Sequence, residues 1–244
     1  MTYVPPGPSQ GGRRKNLTLN SYEATNCLNM NQFLRVNELF VSIQGESSYS
    51  GVPCFFIRLT GCPLRCIWCD TEYAFHEGEQ YSIKDLVSKA KESGCKFVEV
   101  TGGEPLAQKG TIKLLESLLD ENFEVLLETS GAFPIHKVPK RVVKIIDIKC
   151  PGSKMSEKNL WENFDKLEEH DEIKCVIADE SDYNWAKEEL ISRNLLNRNK
   201  IFFSPVAAQL SPKDLAEWII NDKLPVRIQL QIHKIIWPNR DHGF

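Results

Sequence analysis

From Leu34 to the end of the chain, short stretches rich in apolar β-branched and aromatic residues alternate with longer ones whose apolar residues recur at helical spacing. This alternation limits the possible folds more than any other property of the sequence. Strands separated by helices pair in parallel through right-handed crossovers. Strands are expected over residues 34–43, 54–59, 96–101, 123–129, 142–149, 172–178, 201–204 and 226–232. Between them, Ser82 caps a helix running to about Ser93, with Asp85 at the capping-box position. Helices are also expected over 111–120, over 157–169 with a stripe of Leu160, Phe164 and Leu167, and over 182–193. Ser211-Pro212 opens the last one, because proline at the first helical position forfeits no hydrogen bond. Residues 33–244 thus read as one α/β domain, a single sheet curved into an incomplete TIM-type barrel. Residues 1–32, with Pro5, Pro6, Pro8, Gly11 and Gly12, are expected to be a disordered tail, with Met30 as an alternative start.

In such a sheet, ligands bind beyond the carboxyl ends of the strands. Residues able to do chemistry fall at those ends. The first expected strand closes at Ser42-Ile43-Gln44-Gly45-Glu46, the second at Arg58, and the third at Thr101-Gly102-Gly103-Glu104-Pro105. Glu128-Thr129-Ser130-Gly131, Asp147-Ile148-Lys149 and Lys174 close three more. Arg58 amid apolar neighbours needs a partner, and a substrate carboxylate matches its planar fork. Gly102 and Gly103 either form a turn or let a ligand approach bare backbone while Glu104 or a strand-edge carbonyl accepts from an amine. Gln44-Gly45 either closes a strand or presents an amide edge to a flat heterocycle.

The second strand leads into Cys62, Cys66 and Cys69, spaced C-x3-C-x2-C and followed by Asp70 and Thr71. Three thiolates this close can face one metal centre from one loop, but structural zinc takes four ligands. Iron–sulfur clusters are also held by thiolates, so three suggest a [4Fe–4S] cluster with one iron left to a non-protein ligand. A Cys3His zinc site using His76, a redox pair at Cys66 and Cys69, or simple buried thiols are the alternatives. Thr71 either caps the loop or ligates a hard cation such as Mg²⁺. His76, His136, His170 and His233 lack the mutual spacing of a metal site and read as surface or core polar residues. His242 and the remaining cysteines, 27, 54, 95, 150 and 175, stay unassigned, Cys150 being the one beside a strand-end segment. A net charge of −3 weighs against a polyanion-binding surface, and no apolar run approaches the ~20 residues that span a bilayer. Clustered thiols without a signal peptide point to reduced cysteines in the cytoplasm.

The cysteine trio together with Thr-Gly-Gly-Glu-Pro at 101–105 and Glu-Thr-Ser-Gly at 128–131 resembles the radical S-adenosylmethionine enzymes. Ser42 to Glu46, Gly51-Val52-Pro53, Phe56-Ile57-Arg58-Leu59, all of 61–71 and Gln231-Ile232-His233-Lys234 narrow the resemblance to the 7-carboxy-7-deazaguanine synthase family. The match runs from about Leu34 to the C-terminus. It implies the partial barrel of radical S-adenosylmethionine enzymes and a carbon–nitrogen lyase of queuosine biosynthesis. The implied reaction turns 6-carboxy-5,6,7,8-tetrahydropterin into 7-carboxy-7-deazaguanine with loss of ammonia. By the same resemblance, Cys62, Cys66 and Cys69 hold the [4Fe–4S] cluster and Thr71 helps place Mg²⁺. Trp68, Cys69, Asp70, Gly103, Asp147, Ile148 and Lys149 contact S-adenosylmethionine. Ile43, Gln44, Gly45, Glu46, Arg58, Thr101 and Phe244 hold the pterin. Relatives often carry Ser-Pro-Lys where this chain has Asp147-Ile148-Lys149. The implied partners are an electron donor such as flavodoxin or ferredoxin and a second copy in a homodimer, with neither nucleic acid nor membrane. A glycyl-radical activase shares the cluster loop but needs no clamp of the Gln44 and Arg58 kind.

Overall fold

The computed structural model describes residues 1–2, 32–240 and 242–243; Cys27, Met30, Phe244 and the body of the expected tail lie outside the described residues. An antiparallel hairpin opens the sheet. Strand β1 (Phe33–Ile43) pairs with β2 (Pro53–Leu59), placing Val41 opposite Phe55 and Ile43 opposite Pro53. The all-parallel expectation fails here because residues 44–52 are too few for a crossover, and a short link joins antiparallel strands. The unforeseen β3 (Glu79–Ser82) pairs antiparallel with the other end of β1.

From β2 onward every pairing is parallel. Strands β4 (Phe97–Gly102), β5 (Glu124–Thr129), β6 (Val143–Ile148), β7 (Glu172–Ile177), β8 (Lys200–Pro205) and β9 (Arg227–Ile228) follow in sequence. The order β3-β1-β2-β4-β5-β6-β7-β8-β9 leaves the sheet open, as an incomplete barrel requires. Helices α1 (Ile83–Glu92), α2 (Thr111–Asp120), α3 (Glu180–Ser192) and α4 (Pro212–Asp222) form four of the crossovers, while β5 to β6 and β6 to β7 are joined without an α-helix. Helix α1 begins where the Asp85 amide donates to Ser82 Oγ at 3.1 Å, and it buries Ile83, Leu86, Val87 and Ala90.

Side chains alternate across a strand with period two, and that separates two environments. Ile57, Val98, Val100, Leu127, Ile146, Ile148, Ile173 and Phe203 belong to the apolar core. The alternate positions Arg58, Glu99, Thr101, Glu128, Asp147, Lys174 and Ser204 line the barrel interior. Among the described residues, one ion pair is wholly buried: Lys144 Nζ lies 2.9 Å from Asp171, whose carboxylate also accepts the Lys144 and Glu168 amides.

Two expected elements are different in the structure. Residues 157–169 are not a helix but short 3₁₀ turns, Ser156–Lys158 and Trp161–Lys166. Asn159 spans the Lys149 amide and carbonyl, while Asn163 donates to Gly131 and Phe133 and accepts from Ile135. Such side chains offer backbone an alternative to helix, and here they tie the segment to two loops. The expected strand 226–232 shrinks to Arg227–Ile228; the Gln229 amide makes a further bond to the Phe203 carbonyl at 2.9 Å, its side chain bonds Ser47 and Ser204, and the chain then turns away. Ile232 then starts a further short helix, α5 (Ile232–Ile236), with its amide on the Gly45 carbonyl at 3.1 Å. The helix after Ser211 is therefore not the last.

Candidate active site

A cavity of about 340 Å³ lies at the carboxyl ends of the parallel strands, within the size range of small-molecule sites. Cys62, Cys66 and Cys69 all line it, on the loop that follows β2. That loop is pinned from both sides. The Glu104 amide donates to the Gly61 carbonyl at 2.8 Å, and the Ile67 amide donates to Ser153 at 3.3 Å. A Cβ on Gly103 would meet the Gly61 carbonyl at 2.4 Å and Cys62 Cβ at 2.9 Å, so only glycine allows the two loops to touch. Burial raises the Cys62 and Cys66 thiols, and Lys149 partly offsets this.

Among the described residues, no three His, Cys, Asp or Glu side chains gather tightly enough to hold a single metal ion. His76 packs its ring edge-on against Phe75 and does not line the cavity, so it closes no Cys3His site. The donor set suits a cluster instead: three free thiols from one loop, facing a common cavity, with the last position left to a ligand.

Beside the cysteines, Trp68, Asp70, Thr71, Gly103, Asp147 and Lys149 also line the cavity. Lys149 Nζ binds Asp147 Oδ2 at 2.7 Å, while Asp147 Oδ1 is buried with no hydrogen-bond partner among the described residues. A buried acceptor without a donor is the mark of a place a ligand completes. Ile148, expected alongside them, points the other way into the core, as the period of the strand demands. Asp70 is held by Lys234 at 2.7 Å and by Gln231 at 3.2 Å. Thr71 Oγ1 sits 3.7 Å from Cys69 Sγ.

The remaining walls are polar and ionic. Ile43, Gln44, Gly45, Glu46, Arg58 and Thr101 all line the cavity. Arg58 Nε binds Glu38 at 2.6 Å, and Glu38 also accepts the Tyr73 hydroxyl at 2.8 Å. The two terminal nitrogens of Arg58 make no hydrogen bond among the described residues, which leaves the bidentate edge for an anion. Lys174 reaches Glu46 and, at 3.0 Å, Glu128. Burial would lower the Lys174 ammonium, but Glu128 and Glu46 outweigh it and hold it well above the ordinary value. Glu128 is the mirror case: burial opposes its ionisation, yet Lys174 keeps it below the usual carboxylate range.

Glu104 is a correction. Its carboxylate is fully buried and accepts from the Leu106 and Ser130 amides at 2.8 and 2.7 Å and from Thr129 at 2.9 Å. It ties the β4 and β5 loops together and has no capacity left for a substrate amine. Other residues join the site without having been foreseen. Glu99 rises from β4, Tyr73 from the turn after the cluster loop, and His233 from α5. The one sequence signal for Glu99 was a charge inside the apolar run Phe97 to Val100. His233, expected to be merely polar filling, lies so close to Gly45 that a Cβ there would fall 1.7 Å from its Nδ1. Burial, followed by the Lys234 charge, lowers its imidazole to about 4, so it is neutral near pH 7. His242 also borders the cavity, against Tyr73. Cys150 is buried behind the wall, with Cys175 as its neighbour.

Comparison with known proteins agrees with this geometry. The Radical SAM superfamily pattern matches residues 56–150, from β2 through the segment after β6. The 7-carboxy-7-deazaguanine synthase of Chlorobaculum tepidum is 47% identical over 207 residues, covering 84% of this chain and 94% of that protein. The protein of the same name from Koribacter versatilis is 42% identical, covering 86% of this chain and all of its own length. The crystal structure of QueE from Escherichia coli superimposes with a TM-score of 0.69 over 88% of this chain, at 23% identity, and shares the fold. Among the described residues, no helix is long and apolar enough to cross a membrane. With its cluster loop, its S-adenosylmethionine-type partial barrel and relatives matched over nearly their whole length, the chain belongs to the 7-carboxy-7-deazaguanine synthase family of radical SAM enzymes.

Proposed function

We propose that this cavity binds 6-carboxy-5,6,7,8-tetrahydropterin against the Arg58 and Gln44 wall and yields 7-carboxy-7-deazaguanine with loss of ammonia. The observation that carries the reading is the juxtaposition, in one cavity, of three free thiols with an arginine whose bidentate edge is open. When bound, the [4Fe–4S] cluster and S-adenosylmethionine supply the radical that removes hydrogen from the substrate. Everything else falls to the chain. Cys62, Cys66 and Cys69 hold the cluster, while Trp68, Asp70, Gly103, Asp147 and Lys149 border the nucleotide. Asp147 Oδ1 accepts from the nucleotide the donor it lacks in the protein.

Arg58, fixed from behind by Glu38 and Tyr73, grips the substrate carboxylate and sets the register of the ring. Gln44, Gly45 and Thr101 meet the heterocycle, and Thr71 supports Mg²⁺ on the carboxylate side. The Glu46–Lys174–Glu128 group keeps a fixed charge pattern beneath the ring, so charge developing in the reaction meets dipoles already in place. Delivery of electrons calls for a low-potential donor such as flavodoxin or ferredoxin, and the assembly we propose is a homodimer.

The test is anaerobic turnover of cluster-loaded protein with the carboxypterin, S-adenosylmethionine and reductant, followed by mass analysis of product. Arg58→Ala is expected to raise KM at least tenfold while the cluster absorbance stays unchanged. An unaltered KM in that variant removes Arg58 from the substrate site. Absence of deazaguanine product with the intact protein removes the reaction.

A further inference from the structure

Glu99 has no part in the chemistry just assigned, yet it occupies an exceptional position. It lines the cavity at 2% exposure, and its neighbours in register on β2 and β5 are the apolar Phe56 and Leu126. Its one side-chain hydrogen bond among the described residues comes from Gln44 Nε2. The identity of that donor follows from the other end of the amide. Gln44 Oε1 takes the Glu46 backbone amide at 2.8 Å, and a backbone N–H can only donate, so the nitrogen must be the end facing Glu99.

We propose that Glu99 is a positioning residue: its carboxyl locks the Gln44 side-chain amide in the one orientation that offers the bound heterocycle a matched donor and acceptor. Held at both ends, Gln44 keeps one free N–H and one free lone pair. That is the complement of the adjoining acceptor and donor on the amide-like edge of a 2-amino-4-oxopyrimidine ring. The inference rests on the proposed substrate and deepens it by naming what orients the ring.

The charge state of Glu99 follows from the ion pairs around it. Lys174 from β7 is engaged by Glu46 and Glu128, and Arg58 from β2 by Glu38. Lys149 is engaged by Asp147 and Lys234 by Asp70. Each of these cations is paired with another acid and none is bonded to Glu99, and a buried carboxylate without a bonded cation takes up a proton instead. Burial first, then Glu128 on β5 and Glu46 beyond β1, push its carboxyl far above the ordinary range; Arg58 and Lys174 offset only part, and Cys54 of β2 is an un-ionised neighbour. Neutral Glu99 accepts from Gln44 without adding a negative charge that would repel an anionic substrate. Ionised at high pH, it would do so.

The experiment compares cluster-loaded wild type, Glu99→Leu and Glu99→Gln for KM and kcat with the carboxypterin between pH 6.5 and 9.5, alongside the cluster absorbance. Glu99→Leu frees the Gln44 amide and is expected to raise KM at least tenfold at pH 7, with kcat within threefold. Glu99→Gln accepts from Gln44 as a neutral side chain and is expected to restore KM to within threefold of wild type. Its KM then stays level at alkaline pH where that of wild type climbs. A Leu variant with wild-type KM, or a Gln variant whose KM tracks wild type across the pH range, overturns the proposal. If the Leu variant does not fold, the pH comparison between Gln and wild type still decides. Wild type that binds cluster but does not turn over the pterin refutes the substrate itself, a separate outcome from either.

Discussion

Replacing Lys174 by methionine keeps the length and apolar stem of the side chain and removes only the ammonium. In the wild type that ammonium sits between Glu46 and Glu128, at 7% exposure. Removing one partner of a buried pair costs about 3–5 kcal/mol, because the charge left behind has no counterion. Two features reduce the loss here. Glu46 keeps hydrogen bonds from Gln229 at 3.0 Å and Gln231 at 2.7 Å, and Glu128 is partly open to the cavity. The expected destabilisation is therefore about 3 kcal/mol at pH 7. Its pH dependence has a definite sign. In the wild type, burial opposes ionisation of Glu128 but Lys174 holds its pKa below the unfolded value, so its contribution is present at neutral pH and is lost as pH falls through the folded pKa. In the variant the Lys174 charge no longer offsets burial, so Glu46, already raised above the ordinary value in the wild type, rises further, Glu128 rises as well, and the protein gains stability on taking up protons. The gap between the two proteins is thus widest at pH 7–8 and closes toward about pH 4–5, near the unfolded carboxyl range. Anaerobic urea unfolding of cluster-loaded protein, followed by tryptophan fluorescence at several pH values, measures it. A gap below about 1 kcal/mol at pH 7, or one constant from pH 5 to 8, would refute the assignment of Lys174 as the shared counterion.

Two further substitutions test other parts of the structure. Gly45→Ala sets a methyl where His233 now stands, 1.7 Å from Nδ1, so the imidazole must swing away. The expected result is a loss of about 1–3 kcal/mol in stability with a KM for the pterin raised more than tenfold, and steady-state kinetics showing no change in KM would contradict the close approach. Asp171→Asn leaves Lys144 charged and unpaired in a region of 0–3% side-chain exposure, far from the cavity. Thermal unfolding should show a loss of about 3–5 kcal/mol while KM is unchanged, and a loss under 1 kcal/mol would mean that the pair is not holding the base of β6 and β7 together.

How much of this was legible in the sequence depends on whether the information was local. The parallel strands were readable because each is a short apolar run bounded by turn residues, and α2 lies over the residues its pattern gave. The β1–β2 hairpin was not, since its length and composition resemble a strand of the parallel series and only the short link 44–52 betrays it. Residues 157–169 failed for a subtler reason. Leu160, Phe164 and Leu167 have helical spacing, but Asn159 and Asn163 find backbone partners on loops distant in sequence, at Lys149 and at Gly131 to Ile135. The cluster loop and strand-end motifs were legible because their residues are contiguous. Glu99, Tyr73 and His233 were not: each comes singly from a different element, and only strand register and the path of α5 bring them to one cavity. Glu104 shows the converse. Its place in a motif suggested contact with substrate, whereas its four described donors all belong to the protein itself.

A cavity walled with so many charges is unfavourable in isolation, and its persistence follows from where the opposite signs are anchored. Arg58 and Glu38 stand on adjacent antiparallel strands with the two residues directly in register. Asp147 and Lys149 lie two positions apart and so share one face at the end of β6. Lys174 is opposite Asp147 in the β6–β7 ladder but reaches instead to Glu46 and Glu128, from the loop after β1 and from β5. These pairings depend on parallel register that the apolar face beneath the helices enforces, so the packing of Ile57, Leu127, Ile146 and Ile173 is what holds the charges at fixed separations. An error of one residue in any strand would turn its polar side chain into the core and an isoleucine or valine into the cavity. The same constraint explains why the site can afford a carboxyl such as Glu99 with no cation of its own. With the other charges paired by register, burial and the nearby Glu128 and Glu46 leave a proton on Glu99 in place of a counterion.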